Sequence, residues 1–227
     1  MHKIVICLAL LGIAPISPAN GQNIVNAFSN VPRIETDSGR GSGFVVDVGA
    51  GKTEVWTNGH VVDRVGQEVT LRFAADTPNE STAKGTVAWR RFEEGIDAAK
   101  IIIEAEIDVQ PFRIRVGSNG DDVITDLVAT AGYPLGNRGY SVILSEYPKR
   151  DFNRVKAYLP SAIPGQSGSP IVNGAGEVTH VVTLYAKVGR EKFGGAMPIS
   201  DWTEGDTTTV ATLGPEGLGH FQLLPNP

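Results

Sequence analysis

The sequence predicts an all-β fold, and three observations carry the prediction. Short apolar runs recur along the chain, several alternating with polar residues. Gly and Pro punctuate the gaps between them. No long helical periodicity intervenes, and many short strands separated by turn residues indicate a sandwich or a barrel.

The elements follow in order. Ile24, Val25 and Phe28 have near-helical spacing, so a short helix is expected between Asn23 and Val31. Gly43 to Val48 is an apolar strand, followed by Val55 to Thr57 across the turn Gly49-Ala50-Gly51. Val69, Leu71 and Phe73 alternate with polar residues, as do Val87 and Trp89, which marks half-buried strands. Ile101 to Ile103, Leu127 to Ala131, Val142 to Leu144 and Val155 to Leu159 are further short runs. Ile171-Val172, Val178 to Leu184 and Phe193 to Ile199 bring the total to about a dozen strands. The polar break Val116 to Asp122 is read as the link between two halves, and from Asp201 the pattern fades.

Composition narrows the function classes. The chain has 227 residues, enough for one large domain or two small barrels, and a formal net charge of −5. No basic run, zinc-ligand cluster or phosphate-cradling glycine loop is present, so neither nucleic acid nor a metal or other cofactor is expected. Residues 1–21 read as a secretory signal: His2-Lys3, an apolar core from Ile4 to Ile13 too short to span a bilayer, and small residues at Ser17 and Ala19. Cleavage is expected after Ala19 or Gly21, giving an exported, periplasmic or secreted protein with no stable membrane anchor. The one cysteine, Cys7, lies inside that signal, so the remainder must fold without disulfides.

The most informative run is Ile163-Pro164-Gly165-Gln166-Ser167-Gly168-Ser169-Pro170. A serine hydroxyl is a weak nucleophile that needs a base and a site for the developing oxyanion, and glycine lets a turn expose successive N–H groups. Of four histidines, His60 stands where an apolar strand must turn, His180 lies within a strand-like run, His2 is in the signal and His220 in the tail. Asp97 opens the apolar run ending in Ile101-Ile102-Ile103, where a carboxylate is costly unless partnered. The order His60, Asp97, Ser167 on a β pattern follows the chymotrypsin-type triad. The α/β-hydrolase order differs, and Ser169 stands where the hydrolase elbow needs glycine.

Six motifs in the same order make the chain resemble the trypsin-like serine proteases of the HtrA (Deg) type over about residues 38–200. They are Ser38 to Val46, Thr57-Asn58-Gly59-His60-Val61-Val62, Asp97-Ala98-Ala99, Gly132-Tyr133-Pro134-Leu135-Gly136, Ala162 to Asn173 and Gly194 to Pro198. The resemblance implies two antiparallel six-stranded β-barrels with few short helices, the first over about 36–115 and the second over about 120–202. The protease domain would then cover 22–202, with a tail at 203–227 in place of the family's usual PDZ domain. It also implies His60 as base, Asp97 as its orienter and Ser167 as nucleophile, with the N–H groups of Gly165 and Ser167 as the oxyanion hole. Ser161 would lie at the floor of the primary pocket, and Val182, Thr183 and Leu184 along the substrate-binding edge. A neutral Ser161 argues against selection of Lys or Arg. His180 is expected to be structural and Ser169 likewise. Lys100 departs from the family pattern at an apolar position, and is expected to face solvent or pair locally.

The function expected is that of a serine endopeptidase acting on protein or peptide substrates, without cofactor. Two alternatives stand beside it: a protease-fold binding protein without turnover, which the complete triad disfavours, and a serine esterase, which the chain order and β pattern disfavour.

Overall fold

A computed structural model of the chain describes residues 30–93, 96–114, 127–134, 141–146, 151–152, 155–158, 164–173, 176–188 and 191–202. The first half builds one antiparallel sheet from β1 (Arg33–Glu35), β2 (Arg40–Ser42), β3 (Phe44–Gly49), β4 (Lys52–Thr57), β5 (Glu68–Phe73), β6 (Ser81–Glu93) and β7 (Ile96–Ile103). The strand order is β2-β1-β5-β6-β7-β4-β3. Its two end strands, β2 and β3, are consecutive in the chain and separated only by Gly43, whose N–H donates to Pro32 O at 3.0 Å. The two ends of the sheet are thereby joined by one continuous run of chain, which curls the sheet into a barrel.

Alternation dictates what fills it. Val69, Leu71 and Phe73 of β5 point inward, while Glu68, Thr70 and Arg72 between them point outward. They meet Val45, Val55, Val87, Ala99, Ile101 and Ile103 in one buried cluster. At about 25 cal/mol per Å² of apolar surface removed from water, this set is the main stabiliser of the first barrel.

The second sheet comprises β9 (Leu127–Gly132), β10 (Ser141–Glu146), β11 (Asp151–Phe152), β12 (Val155–Tyr158), β13 (Pro170–Val172), β14 (Glu177–Val188) and β15 (Glu191–Pro198). The order is β10-β9-β13-β14-β15-β12-β11, and these pairings are antiparallel. The seven-strand path matches the first sheet position for position. The fold is thus the all-β double barrel expected. A short β8 (Arg113–Ile114) pairs in parallel with β14. The chain therefore reaches the second sheet earlier than the link expected at Val116 to Asp122: Phe112 N is still bonded to Val45 O at 2.8 Å, and Arg113 is already opposite Glu177. The first sheet also begins at Arg33, ahead of the expected start near residue 36.

A second buried cluster lies between the sheets and draws on both. Phe44 and Trp56 come from the first, Ala129, Ala131, Val172, Val178 and Val181 from the second. A closing 3₁₀ helix (Ile199–Trp202) lays the Trp202 ring on Trp56, stacked at 6.0 Å between centroids. Lys100 lies over Trp56 at 5.2 Å and over Trp89 at 5.7 Å, local pairing by cation–π contact. The helix expected between Asn23 and Val31 and the tail at 203–227 lie outside the described residues.

Candidate active site

His60 is delivered by the end of β4. The strand stops at Thr57, Asn58 is extended (φ −73, ψ 151), and Gly59–Val61 forms one 3₁₀ turn. The turn sits hard against β6 and β7. A Cβ on Gly59 would come within 2.5 Å of Arg91 O, so only glycine permits this approach. Arg90 Nε donates to Gly59 O at 2.8 Å and Val62 O at 2.9 Å, holding the turn's carbonyls.

Asp97 lies near the start of β7, buried, with its side chain 9% exposed. Its carboxylate accepts three hydrogen bonds. His60 N reaches Oδ1 at 2.9 Å, His60 Nδ1 reaches Oδ2 at 2.7 Å, and Thr183 Oγ1 donates to Oδ2 at 2.7 Å. These bonds offset the desolvation that makes a lone buried carboxylate costly. They also fix the imidazole with Nδ1–H toward the acid and Nε2 outward.

Thr183 arrives from the other sheet by a β-bulge. Val182 is opposite Ala196 and Leu184 opposite Gly195, so Thr183 is the extra residue. A bulge breaks the side-chain alternation and re-aims one side chain, here inward onto Asp97. The sequence placed Thr183 on a substrate-binding edge; in the structure its hydroxyl donates to Asp97. Val182 is likewise buried, and its N–H and C=O are bonded to Ser169 O and Gly168 N, each at 2.9 Å. Beyond Thr183, β14 pairs only with β15 among the described residues. The Leu184 side chain and Ser161 lie outside what is described.

Ser167 occupies the turn before β13. Gly165 (φ 93) and Gly168 (φ 85) flank it, both in the left-handed region that glycine tolerates. A Cβ on Gly168 would come within 2.1 Å of Ser42 O. The Gly165 and Ser167 N–H groups donate to no other group among the described residues. Ser167 and the His60 turn meet at Gly41, where a Cβ would touch both Val61 Cγ2 (2.6 Å) and Ser167 O (3.2 Å). No hydrogen bond joins Ser167 Oγ to His60; the two turns adjoin at Gly41. Active-site bonds of this kind often tighten only with substrate bound.

Ser42 pins this turn. Its N–H donates to Ser167 O and its Oγ to Gly165 O, both at 2.8 Å. Tyr133 N donates to Ser42 Oγ at 3.0 Å and Thr57 Oγ1 to Ser42 O at 2.7 Å. Ser42 and Asn58 stand in quoted motifs, but sequence reasoning gave them no role. The available signal was a small polar residue beside strand positions that must be buried. Ser169 is fully buried, with its Oγ in the space left by Gly132, and His180 is a buried strand residue paired with Pro198. Among the described residues no cluster of His, Cys, Asp and Glu could hold a metal ion.

Two β-barrels, with an Asp-oriented histidine from one and a glycine-flanked serine turn from the other, define a chymotrypsin-fold peptidase domain. A family model described as the trypsin-like peptidase domain matches residues 41–179, more than half of the chain, and the chain belongs to this family. Solved structures of similar fold include the serine endoprotease from Yersinia pestis, with 20% identity and a TM-score of 0.65, covering 84% of this chain and 65% of that one. They include the Rv3671c protein from M. tuberculosis as an inactive Ser343Ala mutant (20%, TM-score 0.60, 83% and 91% covered). Deg5 is a third (20%, TM-score 0.61, 81% and 90%). The chain thus spans just under two thirds of the Yersinia pestis protein. A search of curated proteins found no match.

Proposed function

We propose that the chain is a serine endopeptidase that hydrolyses peptide bonds in unfolded or flexible proteins through His60, Asp97 and Ser167. The observation that carries this reading is the buried His60–Asp97–Thr183 hydrogen-bond array beside the Ser167 turn. Ser167 Oγ attacks the scissile carbonyl while His60 Nε2 takes its proton. His60 then gives that proton to the leaving amine, and an acyl-enzyme remains on Ser167. Water, deprotonated by His60, releases the acid. Asp97 stabilises the imidazolium formed in each half. The N–H groups of Gly165 and Ser167 receive the oxyanion, worth about 3–4 kcal/mol for a donor of this kind. A substrate in extended conformation would pair with the edge of β14 beyond Thr183. Residues 1–21, read as an export signal, place this activity outside the cytoplasm.

Purified protein should cleave casein and be labelled by a fluorophosphonate, and Ser167→Ala should abolish both. Cleavage unchanged in Ser167→Ala sinks the assignment. The missing Ser167–His60 hydrogen bond favours one rival, a protease-fold binding protein without turnover. Wild-type protein that binds casein yet resists the fluorophosphonate would support that rival.

A further inference from the structure

Asn58 is fully buried at the junction of β4 and the His60 turn, and its amide makes two hydrogen bonds that constrain each other. Nδ2 donates to the backbone carbonyl of Asp97 at 2.9 Å and to Thr183 Oγ1 at 3.2 Å. A carbonyl only accepts, so the group facing Asp97 O must be the NH₂, which settles which way the amide points. The same NH₂ has no lone pair to offer Thr183. The Thr183 hydroxyl must therefore accept from Asn58, and its single proton is left for Asp97 Oδ2, 2.7 Å away. The direction of the whole chain, Asn58 to Thr183 to Asp97, follows from one backbone carbonyl. Asn58 Oδ1 meanwhile has no protein partner although it is buried, a cost that a residue kept only for packing would not need to carry.

We propose that Asn58 is a positioning residue of the catalytic machinery. By fixing the Thr183 proton on Asp97 Oδ2, it sets the carboxylate that holds the His60 ring. This rests on the endopeptidase reading, in which His60 is the base. Without Asn58 the Thr183 hydroxyl is free to rotate, and Oδ2 keeps only one permanent donor, His60 Nδ1.

The test is a double-mutant cycle on fluorescein-labelled casein, with Thr183→Val as the second substitution. Asn58→Ala is expected to lower kcat about tenfold with KM unchanged, the size of one hydrogen bond to a charged group. In the Thr183→Val background the same substitution should cost nothing more, because its effect passes through the hydroxyl. Losses that multiply in the double variant, or a KM effect alone, overturn the proposal. A second readout needs no turnover: the low-field NMR resonance of the His60 Nδ1 proton should move or broaden in Asn58→Ala. An unmoved resonance also overturns it. If Asn58→Ala does not fold, Asn58→Ser takes its place in both measurements. Casein cleavage that survives Ser167→Ala would refute the endopeptidase reading, while the resonance still decides the role of Asn58.

Discussion

At the scale of single residues the site is a problem of polar groups withdrawn from water. Asp97 is tolerated because three donors converge on it, and that convergence orients His60. Asp97→Asn keeps the shape but presents an NH₂ to a ring that must donate. In the proposed mechanism this lowers kcat by about four orders of magnitude while the unfolding midpoint stays near wild type; casein hydrolysis with circular dichroism checks both. Ser42 carries a different load. Ser42→Ala removes the hydroxyl that donates to Gly165 O and accepts from Tyr133 N, and each hydrogen bond lost costs about 0.5–1.5 kcal/mol. A lower urea midpoint together with slower fluorophosphonate labelling is expected. Loss of stability with labelling unchanged would mean that Ser42 does not shape the serine turn.

At the scale of elements, bulges and ion pairs set what each strand can present. The bulge at Thr183 turns a strand residue inward onto the acid. On the outer face of the first barrel, β1 and β5 are laced by charge. Arg72 Nε donates to Glu35 Oε2 at 2.9 Å and its Nη1 to Glu80 Oε1 at 2.6 Å, while Arg33 Nε donates to Glu35 Oε1 at 3.0 Å. Burial works to raise the Glu35 pKa, yet the Arg72 hydrogen bond and the charges of Arg33, Arg72 and Arg40 outweigh it and hold it below the ordinary 4.5. The Asp76 N–H and Arg72 do the same for Glu80. A carboxylate depressed in the folded state binds fewer protons there than in the unfolded chain. Its stabilisation is complete above the ordinary value and is lost as pH falls through the lower, folded one. Glu35→Gln should therefore flatten the fall of the urea midpoint below about pH 4.5. A slope as steep as wild type would show that the ladder does not contribute.

At the scale of the whole molecule, function depends on how the two barrels are seated. His60 and Asp97 belong to the first, Ser167 and Thr183 to the second. The apolar cluster between the sheets holds that register, closed by Trp202 on Trp56. Trp202→Ala is expected to cost about 3–5 kcal/mol, as for other large core truncations. It should also slow fluorophosphonate labelling in protein that is still folded, because the Thr183–Asp97 bond spans the same junction. Labelling at the wild-type rate in the folded variant would separate the stacking from the site.

The β character, most strands, and the candidate site residues could be read from the sequence, because alternation at period two and the Gly/Pro breaks are local signals. His60 at a strand end, Asp97 in an apolar run and Ser167 between glycines could each be read from a handful of neighbours. Strands too short to show alternation, β1, β2, β8 and β11, could not. Neither could the roles of Ser42, Asn58 and Thr183, whose partners lie 123, 125 and 86 residues away. By itself the sequence determined which segments extend, which faces are apolar and which side chains could act. Only the tertiary structure decided that a bulged threonine and a buried asparagine serve the aspartate, because hydrogen-bond direction depends on groups that meet only when both barrels are folded and packed.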